Sequence, residues 1–128
     1  MKIGSVLENQ NLENRIAITP EIVKKYISVG FEVNLIENYG LHIGIKDEQF
    51  KDAGAKISNN ETEILSSSDI VLQLGMLSDD KILNIRENQT VVGVLNPYKN
   101  KDKLEKLAKK KINLFSLELL PRITRAQS

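Results

Sequence analysis

The chain has 128 residues, enough for one domain around one core, and its 41% apolar and 27% charged residues are ordinary for a globular protein. Eighteen Lys and Arg against 17 Asp and Glu leave a net charge of +1, which excludes the basic footprint of a nucleic-acid or anionic-membrane binder. With no cysteine there is no disulfide framework, no thiolate metal site and no thiol nucleophile.

The opening MKIGSVLENQ lacks the long apolar stretch of a secretory signal, and no apolar run approaches the roughly 20 residues that cross a bilayer. A reducing, cytoplasmic setting is therefore expected. KIGSV predicts a first strand over 2–6, followed by the polar loop LENQNLENR. Thr19-Pro20-Glu21 then reads as a helix start, because Thr caps well, Pro suits the first helical position and an early Glu complements the dipole. Ile22, Val23, Tyr26 and Ile27 share one helical face, and Gly30 stands where the helix stops. FEVNLIE predicts a second strand over 31–37. A short helix over 47–53, closed by Gly54, leads to a brief AKI strand. DIVLQL (69–74) is nearly all apolar, as a strand covered on both faces should be. Ser78-Asp79-Asp80 opens another helix, TVVGVL (90–95) is another buried strand, Asn100 caps a helix reaching Lys111, and NLFSLELL (113–120) is the last strand.

Alternation of strand and helix predicts one α/β domain over 1–128, three-layered, with a doubly wound, mainly parallel sheet of flavodoxin-like or Rossmann-like type. Such sheets bind ligands beyond the carboxyl ends of their strands. The loops after Val6, Ile36, Leu74, Leu95 and Leu120 are therefore the ones to inspect.

Arg15, between the first strand and its helix, either clamps a carboxylate or phosphate bidentately or braces its loop. His42 is the only histidine and has no ligand-spaced neighbour, so it reads as a loop residue and no metal site is expected. In KNKDKLEKLAKKK, Leu104, Leu107 and Ala108 form an inward stripe and the lysines a solvated face. Asp79-Asp80 reads as dipole complementation in a first turn. The N-x-[ST] triplets at Asn60 and Asn88 read as coincidental. No GxGxxG follows the first strand and no GxxxxGK[ST] is present, so the chain carries no conventional dinucleotide or phosphate cradle. No Ser–His–Asp set or paired-carboxylate site is evident either.

Three stretches are more specific: NRIAITPEIVKKYISVGFEV, SDIVLQL and the final PRITRAQS. In that order and spacing they resemble the N-terminal domain shared by alanine dehydrogenases and the alpha subunit of proton-translocating NAD(P) transhydrogenase, over essentially the whole chain. In the dehydrogenase branch the resemblance would call for a lysine just after the DIV strand and a histidine after the next strand as acid–base. The matching positions hold Gly75 and Asn96, which can do neither task. Oxidative deamination is thereby disfavoured, although Arg15, the family's carboxylate-binding position, remains.

The transhydrogenase branch needs no such groups, because hydride transfer between two nicotinamides requires positioning and exclusion of water. The resemblance implies that Arg122 hydrogen-bonds the nicotinamide end of NAD(H), that Ile123 and Thr124 line that site, and that Gln127 reaches toward NADP(H) on a neighbouring domain with Ser128 beside it; Arg125 takes no assigned role. It also implies a homodimer of soluble domains, separate NADP-binding and membrane domains, and a position on the cytoplasmic side of the inner membrane. The chain is expected to end inside its cofactor loop, with a Rossmann domain following in the complete subunit. Two rival readings are an alanine-dehydrogenase-like domain and a non-catalytic module such as a response-regulator receiver. The latter is opposed by Leu7-Glu8-Asn9, where a receiver carries a compact acidic pair for Mg²⁺.

Overall fold

The computed structural model describes residues 1–8, 15–75, 77–93 and 100–116. Among the described residues six strands run β1 (Lys2–Ser5), β2 (Glu32–Ile36), β3 (Lys56–Ser58), β4 (Ile70–Leu72), β5 (Thr90–Gly93) and β6 (Asn113–Ser116). Five helices connect them: α1 (Pro20–Ser28), α2 (Asp47–Ala53), α3 (Glu61–Ser67), α4 (Asp79–Ile82) and α5 (Lys101–Lys109). Every strand pair is parallel, in the order β3-β2-β1-β4-β5-β6. Without the short edge strand β3, the remaining order is the flavodoxin one; with it, the order is that of the dinucleotide-binding fold. The doubly wound α/β expectation is met.

The predicted punctuation works as chemistry at α1 and α2, whereas Asn100 stands at the N-cap of α5 without a side-chain cap bond. The Thr19 hydroxyl accepts the Ile22 N–H at 3.3 Å at the start of α1, with Pro20 in its first turn. Gly30 (φ +97°) and Gly54 (φ +112°) end α1 and α2 in left-handed backbone that a side chain would strain. On α1, Val23 is buried while Ile22 and Tyr26 lean on the core. On α5 the inward stripe is narrower than expected. Leu107 is buried and Leu104 half-buried, but Ala108 turns to solvent.

α3 was not anticipated from the sequence. Asn60, notable in the sequence only for its N-x-[ST] triplet, caps this helix: its side-chain oxygen accepts the Glu63 N–H at 3.1 Å. Asn88 also has a structural job, with φ +71° in the turn before β5 and its N–H donated to Lys111 O. Helix α3 rests directly on β1 at Gly4. A Cβ there would lie 3.0 Å from Ile64 Cγ2 and collide with the Ser68 hydroxyl. Because strand side chains alternate, Ile3 and Ser5 face the opposite layer, where Tyr39 meets Phe50 of α2 edge-to-face at 5.6 Å. The core fills both interfaces, with Ile3, Val33, Leu35, Val71 and Val91 from the strands and Val23, Phe50, Ile64 and Leu65 from the helices.

Candidate functional site

β1 and β4 lie side by side, yet β1 continues toward β2 and the chain leaves β4 toward β5. Their loops therefore diverge at the carboxyl ends, opening the crevice where doubly wound sheets place ligands. The residues that converge there form one connected set of polar groups. Its first member comes from the turn after β2. Asn38 takes left-handed backbone (φ +61°), and its N–H donates to both carboxylate oxygens of Asp47, at 2.9 and 3.1 Å. That turn delivers Tyr39, fully buried, beneath the loop after β1.

The Tyr39 hydroxyl oxygen accepts the N–H groups of Ala17 at 3.1 Å and Ile18 at 3.2 Å, just after Arg15. With both its lone pairs so used, its proton goes to Ser5 Oγ, 2.8 Å away. Ser5 in turn lies 2.6 Å from Leu72 O and 2.8 Å from Gln73 Oε1 as acceptors for its own proton. Gln73 is buried and clamps the end of β1, accepting from Val6 N at 2.8 Å and donating Nε2 to Val6 O at 3.1 Å. The same Nε2 donates to Glu8 at 3.2 Å. Glu8 reaches across the crevice so that Leu74 N donates to Oε2 at 2.7 Å and Gly75 N to Oε1 at 3.0 Å. Lys81 of α4 donates to Leu7 O at 2.7 Å, with the Glu61 carboxylate 3.6 Å away. Burial pushes the Tyr39 hydroxyl up to about 12, the nearby Glu8 charge adding to the rise and the bond with Ser5 opposing it. At neutral pH the phenol is therefore a fixed, uncharged donor.

Of the residues the sequence pointed to, Gly75 stands in this crevice and Arg15 is exposed on the loop leading to Ala17. His42 is exposed in a single 3-10 turn, Leu41–Ile43. Asn96, Arg122, Ile123, Thr124, Arg125, Gln127 and Ser128 lie outside the described residues. No cluster of three His, Cys, Asp or Glu side chains suited to a metal occurs among the described residues. Ser5, Tyr39 and Gln73 escaped the sequence reading. The available signal was a serine and a glutamine inside apolar strands, since buried polar side chains need partners. A groove of about 680 Å³ flanks β2 and β3, lined by Lys2, Glu32, Asn34, Lys56 and Glu63 among others, but none of its ionisable side chains is buried. It therefore lacks the desolvated polar groups of the crevice.

Comparison with known proteins gives this geometry a setting. The chain is 38% identical over its whole length to an NAD(P) transhydrogenase alpha subunit of Rickettsia prowazekii, spanning 34% of that relative. Among solved structures, the transhydrogenase of Sinorhizobium meliloti superimposes on 99% of the chain with a TM-score of 0.91 and 31% identity, 38% of that chain being covered. An L-alanine dehydrogenase shares the fold over 91% of the chain (TM-score 0.85, 20% identity, 32% of that chain). The chain thus spans about a third of the length of the curated relative. No helix among the described residues is long and apolar enough to cross a membrane. The family model described as "Alanine dehydrogenase/PNT, N-terminal domain" matches residues 4–128, and the chain belongs to that family.

Proposed function

We propose that this chain is the N-terminal portion of the NAD(H)-handling subunit of an NAD(P) transhydrogenase. The net reaction is NADH + NADP⁺ to NAD⁺ + NADPH, by direct hydride transfer coupled to proton movement through a membrane partner. The observation that carries this reading is the 38% identity along the whole chain to a transhydrogenase alpha subunit. Gly75 agrees with it, because the alanine-dehydrogenase alternative requires an amine at this position and glycine has no side chain. The likeness to L-alanine dehydrogenase at 20% identity concerns the fold alone.

The described residues do not suit the dinucleotide's pyrophosphate. The two backbone N–H groups at the end of β4 already hold the Glu8 carboxylate and are not free for a second anion. The cofactor's main berth is therefore assigned to a downstream domain, and the fragment alone to weak NAD(H) binding and no activity. In the complete subunit Arg122 hydrogen-bonds the nicotinamide end, Ile123 and Thr124 line it, and Gln127 and Ser128 face NADP(H) on a separate domain. An arginine fork and an amide suit this role because they offer fixed donors to uncharged groups. The soluble domains pair as a homodimer on the cytoplasmic side of the inner membrane, beside the NADP-binding and membrane domains.

The test is the rate of hydride exchange from NADH to an NADP⁺ analogue by the full-length protein with its partner domain. Arg122→Ala and Gln127→Ala are each expected to slow it by about two orders of magnitude, as loss of positioning does. Unchanged rates in both variants would overturn the role given to this loop.

A further inference from the structure

The connections that follow β1, β2 and β4 meet at two hydroxyl groups. Tyr39 comes from the turn after β2, Ala17 and Ile18 from the return of the loop after β1 into α1, and Leu72 and Gln73 from the end of β4. The phenol oxygen is fixed from behind. Its ring packs edge-to-face on Phe50 at 5.6 Å, and the Asn38 N–H before it is held by both oxygens of Asp47. Gly40 O, just after it, accepts the N–H groups of Ile43 at 3.1 Å and Ile45 at 3.0 Å. The loop after β1 hangs on this fixed point, because the Ala17 and Ile18 N–H groups donate to Tyr39 Oη at 3.1 and 3.2 Å. Ile18 is fully buried, so its N–H needs that acceptor. Ser5 takes the phenol proton at 2.8 Å and stands 2.6 Å from Leu72 O and 2.8 Å from Gln73 Oε1. Gln73 in turn holds both Val6 N and Val6 O. The bonds thus run donor to acceptor in one direction, from the loop after β1 through Tyr39 and Ser5 to the end of β4. In such a chain the loss of one link weakens its neighbours. Arg15 stands two residues before Ala17, so the same anchor sets where its backbone enters the edge.

We propose that Tyr39 is a positioning residue of the binding edge: with Ser5 it locks the return of the loop after β1, and Arg15 with it, to the end of β4, so that these segments face a bound ligand as one unit. The locking stands on the contacts just given. Its effect on catalysis rests on the hydride-transfer reading, in which two nicotinamides must be aligned and a small displacement of a flanking loop slows transfer.

The test uses the full-length protein with its NADP-binding partner domain, in the variants Ser5→Ala and Tyr39→Phe. Leu107→Ala is the control, because it empties a fully buried site on α5 and lowers overall stability at a distance from the two hydroxyls. Ser5→Ala is expected to speed amide hydrogen exchange at Ala17 and Ile18 by about tenfold over Leu107→Ala, since Ser5 acts on them through Tyr39. Tyr39→Phe is expected to lower kcat for NADH with an NADP⁺ analogue by about tenfold, while the KM for NADH stays within about twofold because the main berth is elsewhere. Lost stability alone moves neither constant at a temperature where the variants are folded, and Leu107→Ala is expected to keep both. Ala17 and Ile18 amides that exchange no faster in Ser5→Ala than in Leu107→Ala overturn the locking. An unchanged kcat in Tyr39→Phe, with the unmodified protein active, overturns the positioning role. An unmodified protein that exchanges no hydride overturns the functional reading instead, and the amide rates then decide the proposal by themselves. Should Tyr39→Phe fail to fold, Ser5→Ala carries both measurements.

Discussion

Replacing Tyr39 by Phe isolates the polar chemistry beneath the crevice from its packing. The ring keeps its volume and its edge-to-face contact with Phe50, at 5.6 Å and 74°. What disappears is the oxygen that accepts the Ala17 and Ile18 N–H groups and donates to Ser5. Ser5 is not orphaned, because Leu72 O and Gln73 Oε1 remain within reach. The Ile18 N–H is buried and loses its acceptor outright, whereas Ala17 is half-buried and partly recovers through water. At about 1–3 kcal/mol for a stranded buried donor, and half that for Ala17, the expected loss is about 3 kcal/mol. For a domain of this size it corresponds to a fall in Tm of about 10 °C. Denaturant unfolding of both proteins, with unchanged m-values as the check on comparability, measures the difference. A loss under about 1 kcal/mol would mean that the two N–H groups find other acceptors, and the network would not be the brace described here.

The same hydroxyl sets a pH dependence. Burial raises the Tyr39 pKa from an ordinary 10 to about 12. The neutral phenol's contribution is complete below pH 10 and is lost as pH climbs toward 12, by about 3 kcal/mol in all. Stability measured against pH should therefore fall more steeply for the unmodified protein than for Y39F across that window; parallel curves would contradict it. Gly4→Ala sets a methyl group against the Ser68 hydroxyl and 3.0 Å from Ile64 Cγ2, so β1 and α3 must separate. The expected cost is about 3 kcal/mol by denaturant unfolding, and a neutral result would show that α3 does not rest on Gly4. Gly75→Lys is different, because among the described residues the new Cβ makes only an ordinary 3.4 Å contact with Glu8. Stability should change by less than about 1 kcal/mol, while oxidation of alanine stays undetectable because Asn96 supplies no acid–base group. Measurable deamination in that variant would restore the dehydrogenase reading.

How far the sequence was legible depends on the range of each interaction. The strand runs, the Thr19-Pro20 start and the stops at Gly30 and Gly54 are local signals, and each appears in the fold, although DIVLQL forms a strand only over Ile70–Leu72 and the ends of TVVGVL and NLFSLELL lie outside the described residues. Helix α3 was missed because ETEILSS offers only Ile64 and Leu65 as apolar anchors, too few to show a helical period. Ala108 was misplaced because one small residue at the edge of a stripe does not fix how far the stripe extends. The crevice network was illegible for a different reason. Ser5 and Tyr39 are 34 residues apart and Ser5 and Gln73 are 68 apart, and they meet only through the strand order β2-β1-β4. Glu8 could be read as unlike a receiver's acidic pair. That it reaches across to the backbone of β4's loop follows from tertiary geometry, which no spacing rule encodes.

We assign this domain, as proposed above, to hydride exchange between two nicotinamide cofactors and not to amino-acid oxidation. The most direct measurement gives the full-length protein, with its NADP-binding partner domain, two substrate pairs in parallel: NADH with an NADP⁺ analogue, and alanine with NAD⁺. Turnover of the first pair with none of the second is the expected result. Turnover of alanine without exchange between the dinucleotides would contradict the account.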